Sequence, residues 1–335
     1  MHDLLPLIAI VSAGLIACLG TAALIPILRR AAIMDRPNQR SSHAIPTPRG
    51  GGIAVTAGIL FGWLLLLIAG FARSSVAGVL AGAVMLAAVS WLDDRRGLPA
   101  LPRLAVHAVA VAIGLFVALP PGLVFRGYLP PLLDKAAAGL CWLWFVNLFN
   151  FMDGIDGIDG GEAAAVGIGL MAFASVGSDK DPVLAAMAAC IVTAALGFLV
   201  WNWAPARIFL GDVGSIPLGY LLGFLLLSVA ARGHWKLALI LPLYFLADAT
   251  ITLLRRLARG ERVWTPHREH FYQRATLRGL GHAAVVYRVL AVDAVLIACG
   301  WLAENGAGAA MLVVAGIAVA ALLAELAGIG RRRPA

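Results

Sequence analysis

The chain carries little charge for its length. Only 13% of its 335 residues are Asp, Glu, Lys or Arg, whereas 61% are hydrophobic. The mean hydropathy is +0.90. A water-soluble protein of this size has no interior large enough to bury so much apolar surface. The composition therefore excludes an ordinary soluble domain and predicts a protein that crosses a membrane several times.

Cysteine is also scarce, and nothing in its spacing points to a metal or a disulfide. Cys18, Cys141, Cys190 and Cys299 each stand alone within an apolar stretch. No CxxC pair or Cys/His ligand spacing occurs, so a zinc site and a disulfide framework are both disfavoured. Helix-turn-helix, RRM and zinc-finger patterns are absent as well, and we expect no nucleic-acid partner despite the net charge of +8.

Long apolar runs dominate instead. Candidate membrane segments lie near residues 5–28, 52–72, 75–92, 104–120, 134–152, 162–177, 183–201, 213–231, 235–254, 288–303 and 307–328. The first is too long for a signal-peptide core and has no basic residue before it, so we expect a retained helix. We predict an all-α, polytopic membrane helix bundle of about 11 transmembrane helices, with cytoplasmic active-site loops and a single integral membrane domain over residues 1–335.

The basic residues predict the orientation of this bundle. If the N-terminus is outside the cytoplasm, 20 of the 26 Lys and Arg residues fall in or beside cytoplasmic connections, and six fall on the other side. This asymmetry matches the positive-inside rule. The asymmetry has two compatible explanations. One is membrane topology together with attraction to anionic lipid. The other is a basic cytoplasmic surface that gathers polyanionic substrates.

The polar residues gather in five stretches that this topology places on the cytoplasmic side. They are RPNQRSSHAIPTPRGGG at 36–52, WLDDRRGLP at 91–99, NLFNFMDGIDGIDGGE at 147–162, NWAPARIFLGDVGS at 202–215 and RRLARGERVWTPHREHFYQR at 255–274. Convergence of separate loops at one membrane face is expected of an active site built on a helical membrane scaffold.

Asp153, Asp156 and Asp159 recur at every third position, separated by glycines. On a helix the three carboxylates would share one face. The glycines favour a tight turn equally well. The twelve-residue EF-hand pattern with its final Glu does not occur, which disfavours a calcium loop.

Grouped with Asp93, Asp94 and Asp212, these carboxylates would repel one another unless a cation compensated them. Ligation by carboxylates alone predicts Mg²⁺, with Mn²⁺ as the alternative. A metal held by one or two carboxylates, whose shell is completed by substrate phosphates, suits phosphoryl transfer.

Plainer interpretations stay open for each stretch. The Asp93–Asp94 pair could form a solvated loop with the arginines that follow it, and Asp212 could be only the N-cap of a helix. His267 and His270 could be surface histidines, since HxxH spacing is weak evidence by itself. Asp248 and Asp293 lie inside apolar segments, where they could pair with arginines or face the bundle.

Two other protein classes use similar residues. A membrane transporter with an acidic cation-binding site would place its polar residues near the bilayer midplane, in broken helices. A CDP-alcohol phosphotransferase also uses Asp and Mg²⁺, but the residues from Asp153 read DGIDGIDGGEA, without the Arg of that motif.

Together the motifs resemble those of the polyprenyl-phosphate N-acetylhexosamine-1-phosphate transferases (glycosyltransferase family 4). This family includes the bacterial phospho-MurNAc-pentapeptide translocase and the undecaprenyl-phosphate GlcNAc-1-phosphate transferase. The resemblance is carried by LDD at 92–94, NLFNFMDGIDG at 147–157, NWAPARIFLGDVGS at 202–215 and the histidine loop at 267–273, and 36–52 is similar to the family's first cytoplasmic loop. It covers nearly the whole chain in the expected order.

The resemblance implies that the phosphate of undecaprenyl phosphate attacks the β-phosphate of a UDP-N-acetyl sugar and releases UMP. This would be the first membrane step of O-antigen or other cell-envelope polysaccharide synthesis. It implies the bacterial inner membrane and its lipid bilayer as surroundings, with the N-terminus periplasmic and the active site cytoplasmic, and it is compatible with a homodimer. Whether the attack is direct or passes through a phosphoryl-enzyme is open.

The resemblance also implies residue roles. The metal ligands would be Asp212 and Asp93. The catalytic residues would be Asp93, Asp94, Asp156 and His270, of which Asp93 or Asp94 would face the acceptor phosphate as general base. The substrate-binding residues would be Arg49, Asn150, Asp153, Asn202, His267 and Arg268.

The histidine loop departs from better-known members, which carry HxHH or HHH. Here it reads HREHFYQR, so that His270 aligns with the first of those histidines while Tyr272 and Gln273 replace the others. The two substitutions either support the loop or fit a sugar other than GlcNAc. UDP-N-acetylfucosamine and UDP-N-acetylquinovosamine are the expected donors in the second case, because the loop resembles that of O-antigen-initiating members.

Overall fold

A computed structural model describes residues 4–37, 45–176, 180–265 and 267–329. It confirms the predicted all-α membrane bundle. The helices are α1 Leu4–Arg30, α2 Gly52–Ile68, α3 Val76–Arg96, α4 Ala100–Ile113, α5 Pro131–Met152, α6 Ile158–Ser175, α7 Pro182–Asn202, α8 Asp212–Ala231, α9 Trp235–Ile240, α10 Leu243–Ala258, α11 Phe271–Leu277, α12 His282–Leu302 and α13 Ala310–Ala327. Two short strands, β1 Met34–Asp35 and β2 Thr47–Pro48, pair antiparallel. Part of the first polar stretch, 38–44, lies outside the described residues.

In the described ranges, eight helices are long and apolar enough to cross a membrane, and α2 is a shorter apolar helix. All eleven apolar segments predicted from the sequence fall on helices. The segment at 235–254 is divided between α9 and α10, because Pro242 has no N–H to continue the helical hydrogen bonds. The segment at 162–177 belongs to α6, whose first turn contains Asp159.

Helix α8 lies at the centre of the bundle, and 94% of its apolar 18-residue stretch is buried. It packs against α2, α3 and α5. On one face, Trp142 of α5 stacks on Tyr220 with ring centroids 4.8 Å apart, and its Nε1 donates to the Tyr220 carbonyl at 3.0 Å. Because α8 is central and begins at Asp212, this carboxylate lies in the middle of one end of the molecule.

Small residues allow α1, α2 and α7 to approach closely. A Cβ on Gly58 of α2 would lie 2.5 Å from the Ala13 carbonyl oxygen, and one on Gly197 of α7 would lie 2.6 Å from the Gly14 oxygen. Within a bilayer, association of helices depends on such close packing, because lipid removes most of the hydrophobic driving force. These contacts join α2 and α7 to α1.

The connections between helices fall into the two groups that the basic residues predict. At one end, Arg232 contacts Asp181, and His234 Nδ1 lies 2.9 Å from Glu304 Oε2. The five polar stretches meet at the other end, where the site is formed. The bundle thus has one polar, site-bearing end, and its assignment to the cytoplasm remains a prediction.

Candidate active site

Two aspartates from separate helices meet at the N-terminus of α8. Asp94, in the last turn of α3, accepts hydrogen bonds from the backbone N–H groups of Asp212 at 3.2 Å and Val213 at 3.0 Å. A carboxylate in this position satisfies N–H groups that have no partner within the helix, and it interacts with the positive end of the helix dipole. Gly211 precedes them with a φ of 76°, a conformation that glycine adopts without strain.

Arg49 joins both aspartates. Its Nη2 lies 2.5 Å from Asp212 Oδ1 and 2.9 Å from Asp94 Oδ1. The chain around it is held to the loop before α8, where the Gly50 N–H donates to the Phe209 carbonyl at 3.1 Å. Burial lowers the pKa of Arg49, but Asp212 and Asp94 raise it more, so the guanidinium stays charged. The structure therefore brings the predicted Arg49 into the predicted acidic cluster.

Arg103 of α4 reaches the same cluster. Its Nη1 contacts Asp93 and lies 3.5 Å from Asp212 Oδ2. The second oxygen of Asp93, Oδ1, accepts the Leu98 N–H at 2.5 Å. Both oxygens of Asp93 thus have protein partners, and a metal ion at Asp93 would have to replace one of these contacts.

Asp153 adds a fourth carboxylate. Helix α5 ends at Met152, and residues 153–157 form a turn before α6, as the glycine spacing allowed. Asp153 lies near Arg49, Asp212 and Asp94. Burial raises the pKa of Asp153, Arg49 lowers it, and the two neighbouring aspartates raise it further, to about 7.

The formal charges of this cluster do not balance. The four carboxylates of Asp93, Asp94, Asp153 and Asp212 face the two guanidinium groups of Arg49 and Arg103. Two negative charges are left over when all four acids are ionised, which is the charge that one divalent cation would compensate. Oxygen donors of this kind fit Mg²⁺ or Mn²⁺.

The way in which such a cation would be held follows from the same geometry. Among the residues that the structure describes, no three His, Cys, Asp or Glu side chains are arranged as a complete metal site. A cation here would be held by one or two of these carboxylates together with substrate phosphates, as is usual for Mg²⁺ in phosphate chemistry. Both Asp212 oxygens also face arginines, so a metal ion at Asp212 would have to displace one of these contacts.

The remaining aspartates of the repeat take separate positions. Asp156 Oδ2 lies 3.2 Å from His282 Nδ1 and accepts the Ala206 N–H at 3.1 Å. Asp159, in the first turn of α6, is buried beside Glu162. The three carboxylates therefore do not lie on one helix, because Asp153 and Asp156 belong to the turn and only Asp159 belongs to α6.

Asn202 connects the turn to the loop before α8. Its Oδ1 accepts the Gly157 N–H at 2.9 Å, and its Nδ2 donates to the Ile208 carbonyl at 2.9 Å. The side chain is buried and both of its ends are occupied. The structure thus gives Asn202, which the resemblance assigns to substrate binding, a bridging position between two loops of the site.

His270 is held by Asp248, a fully buried carboxylate in α10. Asp248 Oδ1 lies 3.1 Å from His270 Nδ1 and accepts the Phe271 N–H at 3.0 Å, while Oδ2 accepts the Tyr272 N–H at 3.2 Å. The hydroxyls of Tyr244 and Thr252 also donate to it, each at 3.3 Å. Asp248 therefore fixes the start of α11 and leaves Nε2 of His270 as the ring nitrogen available to a ligand.

The other members of the histidine loop lie beside it. The His267 ring is 4.8 Å from that of His270, measured between centroids. Burial lowers the pKa of His267 to about 4, with His270 and Arg256 contributing, so this ring is neutral at pH 7. Arg268 is half-buried in the same loop.

Tyr272 and Gln273 differ in position. Tyr272 is fully buried, and its hydroxyl donates to the Phe151 carbonyl at 3.2 Å. Gln273 Oε1 accepts the His270 N–H at 3.3 Å, and the side chain lines a cavity. Tyr272 thus supports the loop, whereas Gln273 also faces the space in which a ligand would lie.

That cavity has a volume of about 590 Å³. Its polar lining comprises Arg103, His107, Asn147, Asn150, Thr265, His267, His270 and Gln273. Asn150 Oδ1 accepts the Ser215 hydroxyl at 2.6 Å, which ties the cavity wall to α8. Toward the outside of the bundle the lining becomes apolar and includes Leu104 and Leu140, whose side chains are exposed. The cavity therefore reaches from Arg103, which contacts the acidic cluster, to exposed apolar side chains on the outside of the bundle.

Sequence reasoning missed three partners of the predicted residues. Arg103 was counted only among the basic residues that set the topology. Asp248 could have been identified from the sequence, because an ionisable residue inside an apolar segment is a functional candidate by default. His282, the partner of Asp156, stands at the start of a helix and had no distinguishing pattern.

Comparison with known proteins identifies the family of this chain. Residues 76–230, which contain the four carboxylates of the acidic cluster, match the model of the family described as glycosyl transferase family 4. A probable undecaprenyl-phosphate N-acetylglucosaminyl 1-phosphate transferase of Bacillus subtilis (strain 168) is 28% identical, over 82% of this chain and 80% of its own.

Two further relatives have a higher sequence identity to this chain than the Bacillus subtilis protein has. A decaprenyl-phosphate N-acetylglucosaminephosphotransferase of Mycobacterium tuberculosis (strain ATCC 25618 / H37Rv) is 30% identical, over 82% of this chain and 76% of its own. A phospho-N-acetylmuramoyl-pentapeptide-transferase of Mycobacterium avium (strain 104) is 33% identical, over 90% of this chain and 99% of its own. With its motifs, its fold and these relatives, the chain belongs to glycosyl transferase family 4, the polyprenyl-phosphate N-acetylhexosamine-1-phosphate transferases.

Proposed function

We propose that the protein transfers an N-acetylhexosamine 1-phosphate from a UDP-sugar to undecaprenyl phosphate and releases UMP. An oxygen of the acceptor phosphate forms a bond to the sugar-bearing β-phosphorus. The bond from that phosphorus to the bridging oxygen breaks, and UMP leaves with this oxygen. The proposal includes a place in O-antigen or related envelope polysaccharide synthesis at the inner membrane, with the site-bearing end in the cytoplasm and the N-terminus in the periplasm.

One observation carries the proposal: Arg103, which contacts the acidic cluster, lines a cavity that also reaches exposed apolar side chains on the outside of the bundle. A lipid-linked acceptor needs an apolar entrance, and a nucleotide sugar needs a polar one. The cavity offers both within about 590 Å³. Phosphoryl transfer depends mainly on positioning and on compensating the charge of the phosphates, which this set of groups can provide.

The residues divide these tasks. Arg49 and Arg103 are held by aspartates, so their guanidinium groups are fixed in direction and can contact phosphate oxygens. Asp94 orders the N-terminus of α8. His270 directs Nδ1–H to Asp248, which leaves Nε2 as an acceptor for a substrate proton. Mg²⁺, bound at Asp212, would supply further compensation of the phosphate charge.

The sugar is proposed from the histidine loop. Gln273 lines the cavity where the resemblance places a histidine, so its donors and acceptors differ from those of members that use GlcNAc. A site built to hydrogen-bond one hydroxyl rejects analogues that lack it. We therefore expect a 6-deoxy-N-acetyl sugar, such as UDP-N-acetylfucosamine or UDP-N-acetylquinovosamine, to be used better than UDP-GlcNAc.

The decisive experiment is UMP release by purified protein in detergent with Mg²⁺ and a panel of UDP-N-acetyl sugars. Release should require undecaprenyl phosphate and should stop with EDTA. Asp212→Asn removes the charge with little change in volume and should lower the rate about 10²- to 10⁴-fold. Asp181→Asn, the same change at the opposite end of the bundle, is the control and should leave the rate near that of the wild type.

The outcomes separate the alternatives. A membrane transporter with an acidic cation-binding site would release no UMP, so absence of release with every donor refutes the transfer reaction. Activity that survives EDTA refutes the metal, and use of UDP-GlcNAc at least as well as every 6-deoxy donor refutes only the sugar assignment.

A further inference from the structure

Two acidic side chains are buried where α6 packs against α12. Glu162 of α6 is 0% exposed and Asp293 of α12 is 2% exposed. None of their carboxyl oxygens has a hydrogen-bond partner among the residues that the structure describes, and the same holds for Asp159, one turn before Glu162. Glu162 and Asp293 take no part in the proposed transfer reaction, so their burial needs another explanation.

The packing of the two helices brings these carboxyl groups together. A Cβ on Gly161, the residue before Glu162, would lie 3.3 Å from Leu290 Cδ2 of α12. Asp293 follows Leu290 by three residues, which places it on the same side of α12 about one turn farther along. The two carboxyl groups accordingly lie close enough to interact with each other.

No positive charge faces this pair within the described part of the chain. The titratable groups around it are acidic or neutral: Asp159 on α6 and Tyr244 on α10 lie near Glu162, and Asp153 of the turn and Tyr272 of α11 lie near Asp159. Among the described residues, no three His, Cys, Asp or Glu side chains are arranged as a complete metal site either. The protein therefore supplies no cation that would compensate ionised carboxylates here.

Two ionised carboxylates in this position would be strongly unfavourable. Burial of an ionised carboxylate without a partner opposes folding, and two of them side by side also repel each other. Neither has a hydrogen to donate, so they cannot form a hydrogen bond with each other. One proton removes both difficulties, because it neutralises one carboxyl group and its O–H can donate to the other. Two aspartates share one proton in this way in aspartic proteases.

We propose that Glu162 and Asp293 form a proton-binding site, in which one proton is held between the two carboxyl groups and joins α6 to α12. The ligand is a proton taken from water, and the only bond formed is an O–H bond on one carboxyl oxygen. Helix α6 begins directly after the turn at 153–157, which carries Asp153 to the acidic cluster. The shared proton therefore stabilises the helix that follows this turn of the site.

Infrared spectroscopy of the purified protein in detergent at about pH 7 tests the proton directly, since exposed carboxyl groups are ionised there. The wild type should show the C=O absorption of a protonated carboxyl group that Glu162→Gln/Asp293→Asn lacks. Glu162→Leu/Asp293→Val, an apolar pair for the same buried space, should lack it too and provides a second variant if the amide pair does not fold. Asp134→Asn is the control, because Asp134 accepts two backbone N–H groups as a carboxylate, and its variant should keep the absorption.

The pH dependence of thermal unfolding gives an independent readout. The folded protein keeps a proton that the unfolded carboxyl groups release at about pH 4, so its stability falls as the pH rises. Between about pH 6 and pH 8, the melting temperature of the wild type and of Asp134→Asn should fall about 2–4 °C per pH unit more steeply than that of either double variant. Equal slopes, or equal infrared absorption in the wild type and the double variants, would mean that the pair is ionised or holds another cation and would overturn the proton site.

Discussion

Asp248 shows how one side chain can organise a functional loop from a distance. It accepts hydrogen bonds from two backbone N–H groups at the start of α11 and contacts Nδ1 of His270. Because the carboxylate is fully buried, these donors and the hydroxyls of Tyr244 and Thr252 take the place of water around it. Removal of the charge should therefore disturb the position of His270 more than it disturbs the bundle.

We predict that Asp248→Asn lowers kcat/KM for sugar phosphate transfer about 10- to 100-fold, since an amide leaves buried N–H donors unpaired and no longer fixes the imidazole. In a His270→Gln background, the same substitution should lower kcat/KM only slightly, because a residue that acts through another shows non-additive effects. Steady-state kinetics of the two single variants and the double variant provide the measurement.

Asp134→Asn is a matched control for this change. Asp134 is also a buried carboxylate that accepts two backbone N–H groups, from Val124 at 3.0 Å and Phe125 at 2.8 Å, but at the opposite end of the bundle. It should lose stability and keep kcat/KM per folded molecule. Equal losses of activity in both variants would show that Asp248 is only structural.

At the scale of elements, the site depends on the close crossing of α2 and α8. A Cβ on Gly52, the first residue of α2, would lie 2.2 Å from the Gly214 Cα. The Gly52 N–H also donates to the Leu210 carbonyl at 2.9 Å. The triple glycine thus allows the N-termini of two helices to meet where Arg49 contacts Asp212.

We predict that Gly52→Ala lowers the melting temperature and the transfer rate together, because backbone atoms of α8 must move to accept the methyl group. Gly316→Ala is the control, since a Cβ there meets nothing within 4 Å. Alanine is the better helix former, so this variant should be unchanged or slightly more stable. Thermal unfolding in detergent and UMP release measure both; a Gly52→Ala protein with wild-type melting would refute the close crossing.

At the scale of the whole molecule, the two ends of the bundle differ in character. One end carries the carboxylates, arginines and histidines of the site. The other is closed by contacts such as Asp181 with Arg232 and His234 with Glu304. The orientation of the whole protein in its membrane therefore decides from which compartment a nucleotide sugar can reach the site.

We predict that single cysteines at Arg95 and Arg207 are protected from a membrane-impermeant thiol reagent added outside intact cells, whereas a cysteine at Arg126 is labelled. The native Cys141 is exposed and should first be replaced by serine. All three positions should react after permeabilisation. Labelling of residue 95 or 207 from outside would contradict the predicted orientation, and with it the cytoplasmic location of the site.

The sequence by itself determined the helical membrane architecture and the identity of most site residues. Apolar runs of bilayer length leave only a helical bundle, because backbone N–H and C=O groups must be satisfied within the segment. The distribution of Lys and Arg grouped the loops correctly by end, and the polar stretches contained Arg49, Asp94, Asp153 and Asp212. These properties are local, and they can be read from neighbouring positions in the chain.

Only the tertiary structure decided which residues act on one another. The glycine turn separated Asp153 from Asp156 and Asp159, the crossing of α4 brought Arg103 to Asp93, and α10 carried Asp248 to His270. The two pairings join residues on different helices or loops, and they follow from how whole helices pack against one another. No local pattern encodes that packing, because it results from the fit of many side chains at once.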